Sequence, residues 1–142
     1  LAWIFKENWN NPSHPAYNKY AAIRPTRFIP VFHKHAHQTC NGFHLIVTEK
    51  KRYHSLAHSI RLMKFIKDNS EEFAWKEGRY EAFNDRKAIE LLAGDSLILD
   101  YFENRADWKE VKYKMEKEEG AWIKTASPFL VYKSSLHQSK IK

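Results

Sequence analysis

The chain has 142 residues, 43% of them hydrophobic, enough for one ordinary domain with its own core and too few for two comfortable ones. Its formal charge is +7, but the 17 acidic residues are interleaved with the 24 basic ones, so the excess describes a solvated surface more than a basic arm. It favours anionic partners such as nucleic acid, anionic membrane surfaces or acidic sugars without choosing among them. Cys40 stands alone, which excludes an intrachain disulfide, and no apolar run approaches a membrane span or forms a signal peptide.

Leu1, Phe5 and Trp9, with Ile4 beside them, recur at about the helical period, so the chain is expected to begin inside an amphipathic helix. It starts at Leu1 without a methionine and reads as a piece of something larger. Residues 10–15 hold two prolines, two asparagines and a serine, a composition that ends helices and makes linkers. Tyr17, Tyr20 and Ile23 then lead to Arg24 and Pro25.

Residues 26–48 read as strand, long polar loop, strand. The runs 28–32 and 43–47 are rich in aromatic and β-branched residues. Pro30 offers no ladder donor, which places the first strand at a sheet edge or beside a bulge. The second run, Phe43, Leu45, Ile46 and Val47, predicts burial on both faces. Between them lie ten residues, 33–42, with three of the eight histidines, a lysine and the cysteine. A tight hairpin needs about two to five residues, so a loop this long points to a site.

Leu56, Ile60, Met63 and Ile66 predict a helix with one buried face, N-capped by Ser55 and ending near Asn69 and Ser70. Phe73, Trp75, Tyr80 and Phe83 give an aromatic segment expected to cover one end of the core. Asp85 is placed to cap a short helix carrying Ile89, Leu91 and Leu92, closed by Gly94. Asp95 or Ser96 opens another, with Leu97, Tyr101 and Phe102 inward. Asp107 and Glu110 have the spacing of a capping box, with Trp108, Val111, Met115 and Trp122 on one face and the lysines and glutamates outside. Pro128 marks the limit of that helix, residues 129–132 read as a last short strand, and residues 133–142 as a disordered basic tail. The fold class is α+β, a small mixed sheet packed with several helices.

His33, His35 and His37 alternate, so on an extended chain all three imidazoles would share a face as metal-binding pairs do. In a polar loop such histidines are also simply solvated or hydrogen-bonded, and a catalytic metal would need a further ligand, so no metal is assigned. His54 and His58 lie one helical turn apart without the glutamate of an HExxH motif and read better as a surface or core-edge pair. Cys40 beside His37 or His44 has the ingredients of a thiolate nucleophile, but lone cysteines more often pack as small hydrophobes. The charge and aromatics leave nucleic-acid stacking open as a minor alternative. No Gly-rich phosphate loop and no GxSxG elbow occur, and no cofactor is assigned.

Phe28, Pro30, Phe32, Lys34, Cys40 and Gly42, in the order FxPxFxKxxxxxCxG before an apolar strand, resemble the C-terminal domain of the bacterial exo-β-N-acetylmuramidases. Phe73 and Trp75 resemble the family's aromatic pair, AIELLAG (88–94) its helix-ending glycine segment, and FLVY (129–132) its closing strand. The likeness covers about residues 23–132. It departs from the family at His35, where tyrosine is frequent, and at His37, where polar residues stand.

The resemblance implies an accessory domain of a two-domain, cell-wall-directed hydrolase. An N-terminal Rossmann-like domain, absent from this chain, carries the catalytic carboxylate, and the cleft between the two domains takes N-acetylmuramic acid from the ends of peptidoglycan fragments. Residues 1–22 are then a helix and linker from that missing domain, 23–132 the α+β domain and 133–142 the tail. The family implies the bacterial periplasm or a secreted enzyme. The lactyl group of the sugar is a carboxylate, for which Lys34, His33, His35, Arg27 and Asn41 are the candidate binding residues, with Phe28, Pro30, Phe32, Cys40 and Gly42 as structural motif. The loop contains neither Asp nor Glu, so the proton for a glycosidic oxygen must come from elsewhere and the chain alone is expected to be inactive. A stand-alone binding module for an anionic glycan or nucleic acid is the alternative.

Overall fold

A computed structural model describes residues 2–78, 80–81 and 86–131. They divide into two compact units, the first ending at Leu62 and the second starting at Met63. Together they are α+β: a two-stranded antiparallel sheet in the first unit and helices in both.

The first unit is built on β1 (Ala21–Phe28) and β2 (Cys40–Val47), paired from Ala21 with Val47 to Phe28 with Cys40. The first strand therefore lies upstream of the expected 28–32 run. Pro30 sits in the connecting loop, while the proline inside the sheet is Pro25. The ladder tolerates Pro25 for a reason of register. The Thr48 N–H donates to Tyr20 O at 2.8 Å, which makes 20/48 a hydrogen-bonded pair; bonded pairs then fall on even-numbered β1 residues, and the missing N–H of Pro25 points away from β2.

Alternation puts Ala21, Ile23, Pro25 and Arg27 on one face with Asn41, Phe43, Leu45 and Val47. This is the packed face, where Ala21 and Ile23 are buried and Trp9 meets the Phe43 ring edge-on at 4.7 Å. The other face is open, with Arg24, Phe28, His44 and Ile46 exposed. Burial of the second strand on both faces is thus corrected to one face.

The start of the chain is a single 3-10 turn, Ala2–Phe5, where an amphipathic α-helix was expected. Ile4 and Trp9 are buried, and the Trp9 indole N–H donates to Ile4 O at 2.7 Å, while Phe5 is exposed. Residues 10–15, read as linker, are folded into successive turns through bonds from Asn11, His14 and Tyr17 N–H to the carbonyls three residues before. The Asn10 side chain lies against β1: its Nδ2 donates to Ile23 O and its Oδ1 accepts from Ile23 N–H, both at 3.0 Å.

α1 runs Ser55–Asp68. Its buried positions are Ala57, His58, Ile60, Leu62 and Lys64, and Leu56 and Met63 are exposed, so the buried stripe is rotated from the expected one. The cap differs too: His54 Nδ1, one residue before Ser55, accepts the Ala57 N–H at 3.2 Å. Arg61 donates to the carbonyls of Tyr17 and Pro15, fastening the turns of the early chain to the helix.

In the second unit α2 (Ala88–Ala93) ends at Gly94 in the left-handed conformation, φ +69°, as expected. Asp85, the expected cap of α2, lies outside the described residues; Glu90 Oε2 accepts the Lys87 N–H at 3.0 Å at that end instead. α3 (Ser96–Phe102) is capped by Asp95, which accepts from Leu97 N–H at 2.9 Å, and buries Ile98, Leu99 and Phe102 in place of Leu97 and Tyr101. α4 (Trp108–Ala126) starts with the expected reciprocal box, Asp107 Oδ1 accepting from Glu110 N–H and Glu110 Oε2 from Asp107 N–H. Val111 is buried, but Trp122 is 67% exposed, so the apolar face outlasts the core it serves.

The aromatic segment covers this unit as expected: Phe73 and Trp75 meet edge-on at 5.0 Å, and Trp75 packs on Phe102 at 5.4 Å. Phe83 lies outside the described residues. The closing strand is replaced by a 3-10 turn, Ser127–Phe129, after which Leu130 and Val131 are irregular. Phe129 and Val131, 81% and 89% exposed, meet no partner strand among the described residues. Tyr132 and the tail 133–142 lie outside the described residues.

Candidate functional site

The candidate loop spans 29–39, between the last residue of β1 and the first of β2, and nearly all of it is exposed. It is closed at its base by the His37 N–H, which donates to Pro30 O at 2.8 Å. Inside, Ala36 N–H bonds to His33 O at 3.4 Å and Gln38 N–H to His35 O at 3.0 Å, giving two overlapping turns. His35 and His37 each occupy the third place of one turn at φ +57° and +61°, and His33 is at φ +61°. A turn with positive φ at its third residue is of type II, usually served by glycine or asparagine. The extended chain required for three imidazoles on one face therefore does not exist, and among the described residues no group of three His, Cys, Asp or Glu side chains converges as a metal set.

The motif residues divide into two roles. Phe28 lies opposite Cys40, one bonded pair beyond Thr26 and Gly42. Its ring crosses Gly42 so closely that a Cβ there would sit 2.9 Å from Phe28 Cε1. This explains the FxPxFxKxxxxxCxG spacing: the aromatic covers the glycine diagonally across the ladder and supports the loop's two stems. The Cys40 thiol donates to Gln38 O at 3.7 Å and not to an imidazole, which sets it as a stem residue and not as an activated nucleophile.

The polar candidates stand at the same end of the sheet. Arg27 and Asn41 face each other in the register, with Arg27 Nε donating to Asn41 Oδ1 at 3.2 Å and its guanidinium over the Phe5 ring at 5.5 Å. That pairing fixes the fork of Arg27 while leaving its terminal nitrogens available. Lys34 is exposed at the loop tip, and the His33 ring rests edge-on against Phe32 at 5.0 Å. Ile29, Val31 and Phe32, in the first half of the same loop, are exposed. The loop is thus a cationic tip on an apolar collar, suited to hold an anionic group and unable to donate a catalytic carboxyl proton.

Two carboxylates elsewhere, Glu103 and Asp95, are not set up as acids either. The Glu103 carboxyl is held below its usual range by the Trp75 indole N–H, 2.6 Å away, with Lys67, Lys87 and Arg105 adding to the effect. Burial works to raise that of Asp95, but hydrogen bonds from Lys114 and the Leu97 N–H outweigh it and lower it. Both are ionised at neutral pH, opposite to what protonating a leaving oxygen requires.

The His54 and His58 pair is a core-edge pair, as the sequence indicated, but three sets of side-chain hydrogen bonds escaped the sequence. His58 is buried with both ring nitrogens engaged, Nδ1 with the Tyr53 hydroxyl at 3.0 Å and Nε2 with Ala16 O at 3.1 Å. With His54 serving as helix cap, this pair is structural and not a ligand pair. Arg24 Nη2 meets His44 Nδ1 at 3.1 Å on the open face of the sheet. The third is the Asn10 clamp. An asparagine carries both a donor and an acceptor, which was its only signal in the sequence.

The model of the family described as exo-beta-N-acetylmuramidase NamZ, C-terminal, matches residues 2–132. No curated protein and no solved structure gives a match.

Proposed function

This chain belongs to the family of C-terminal domains of exo-β-N-acetylmuramidases, and from that premise we propose that it forms one wall of a substrate cleft completed by an N-terminal catalytic domain. The whole enzyme then releases N-acetylmuramic acid from peptidoglycan fragments. The observation that carries this reading is the loop 29–39, which offers Lys34 at an exposed tip and has no carboxylate of its own.

Lys34 and the Arg27–Asn41 pair supply donors for the lactyl carboxylate, an anion found on this sugar and not on N-acetylglucosamine. A lysine at a loop tip acts as a point charge, while Arg27, held by Asn41 and Phe5, offers directed donors. Holding the sugar by its lactyl group orients the anomeric carbon toward the domain that performs the acid/base chemistry. The exposed apolar collar of Ile29, Val31 and Phe32 is the surface such a neighbouring domain would cover.

The test is reconstitution. The isolated 142-residue chain should release no N-acetylmuramic acid from a muramic-acid-terminated fragment, and the two-domain protein should do so. Release by the isolated chain would overturn the division of labour. Tight oligonucleotide binding that collapses with salt would favour a nucleic-acid module instead.

A further inference from the structure

Among the described residues the sheet of the first unit has two strands, so each strand has one outer edge, and the two edges are treated differently. With the bonded pairs on even β1 residues, the outward groups of β1 belong to Ala21, Ile23, Pro25 and Arg27. That edge is blunted at three of its four outward residues. Ala21 N–H is spent on Asn18 O at 3.2 Å, both groups of Ile23 are taken by Asn10, and Pro25 has no N–H. A side-chain amide copying a strand and a proline are the means by which edges are blunted.

The outer edge of β2 has neither. The N–H and C=O groups of Asn41, Phe43, Leu45 and Val47 point outward and make no hydrogen bond to another described residue. The strand contains no proline and no lysine, arginine, aspartate or glutamate, the residues that usually guard such an edge. Eight residues of open ladder on a two-stranded sheet form a template for one more extended strand.

We propose that this edge is a homodimerisation surface, where β2 of a second copy pairs antiparallel about a two-fold axis through His44. That register is selected because it matches outward residues with outward residues along the whole strand. Phe43 of one copy falls opposite Leu45 of the other, and Asn41 opposite Val47. A shift in either direction leaves an outward residue unpaired at each end. The central facing pair, Phe43 with Leu45, is apolar, Asn41 opposite Val47 is neutral, and the strand contains no Lys, Arg, Asp or Glu, so no fixed charge on β2 repels its copy. Closure follows as well: the result is a four-stranded sheet whose two remaining edges are the blunted β1 edges, so the assembly stops at a dimer.

The test combines mass and amide exchange on the 142-residue chain over a wide concentration range. The expected result is a shift from monomer to dimer mass, with protection of the Asn41, Phe43, Leu45 and Val47 amides appearing only as dimer forms. His44→Lys and His44→Glu, at an exposed position, should each weaken the dimer several-fold by placing like charges opposite one another, and an equal mixture should restore it. A chain that remains monomeric throughout overturns the proposal. So does a dimer protected at the loop 29–39 instead, or an edge already protected at the lowest concentration, which would mean another segment of the chain covers it.

Discussion

Replacing Asn10 by alanine removes one side chain and two hydrogen bonds at once, those to the N–H and C=O of Ile23. Ile23 is 2% exposed, so water cannot fully replace either bond. Each is worth about 1 kcal/mol net, and a buried group left unsatisfied costs about 1–3 kcal/mol, which puts the loss at roughly 2–4 kcal/mol if some water enters. For a chain of this size that is a fall in Tm on the order of 5–12 °C. Thermal and urea unfolding followed by circular dichroism measure the loss, and exchange of the Ile23 amide localises it. Asn10→Asp is the informative partner: it keeps the acceptor for Ile23 N–H but turns a carboxylate oxygen toward Ile23 O, so it should fall at least as far as alanine. If Asn10→Ala leaves the midpoint within about 0.5 kcal/mol of wild type, the clamp does not hold β1.

His58 predicts a pH dependence. Burial lowers its pKa from the ordinary 6.5, the Ala16 hydrogen bond opposes that and Arg61 adds to it; His14 is lowered in the same way, again chiefly by burial. The unfolded chain therefore takes up protons first, so this contribution to stability is present above pH 6.5 and is lost as pH falls below it. Urea midpoints should drop between pH 7.5 and pH 5, and His58→Gln should narrow that drop; an equal drop in the variant would contradict the assignment. At the loop stems, Gly42→Ala should destabilise by about 1 kcal/mol through contact with Phe28, and the same change in a Phe28→Ala background should cost less. Additive effects in that double-mutant cycle would rule out the diagonal contact as the reason for glycine.

What the sequence disclosed and what it hid follow from where the determining interaction lies. Local chemistry was legible: Asp95, Gly94 and the Asp107–Glu110 box are set by residues within a turn of one another, and all three behave as expected. The first strand was not. Residues 28–32 carry the aromatic and β-branched side chains of a strand, while Ala21–Phe28 contains two alanines, two arginines and a proline. Its pairing is decided by β2 and by Asn10, a residue thirteen positions from the one it holds.

The buried face of α1 was displaced for a related reason. His58 and Lys64 are polar yet buried, His58 through its two hydrogen bonds and Lys64 through Asp68 and Asn104, so an apolar periodicity cannot count them. At Trp122, Phe129 and Val131 the opposite holds: apolar side chains stand exposed, where no periodicity rule expects them. The loop itself was found from its length and composition. Its shape was hidden, because His35 and His37 are held at positive φ by turn hydrogen bonds that no residue pattern announces.

The central claim is that the loop of this domain holds the lactyl carboxylate through Lys34. The most direct measurement is kcat/KM of the full two-domain enzyme and its Lys34→Ala variant on a substrate ending in N-acetylmuramic acid and on one whose lactyl carboxylate is amidated. A charge-assisted hydrogen bond of about 1.5–3 kcal/mol predicts a loss of roughly tenfold to a hundredfold on the acid. On the amide, wild type and variant should come close together. Equal turnover of the acid by both enzymes, or the same loss on both substrates, would contradict the account.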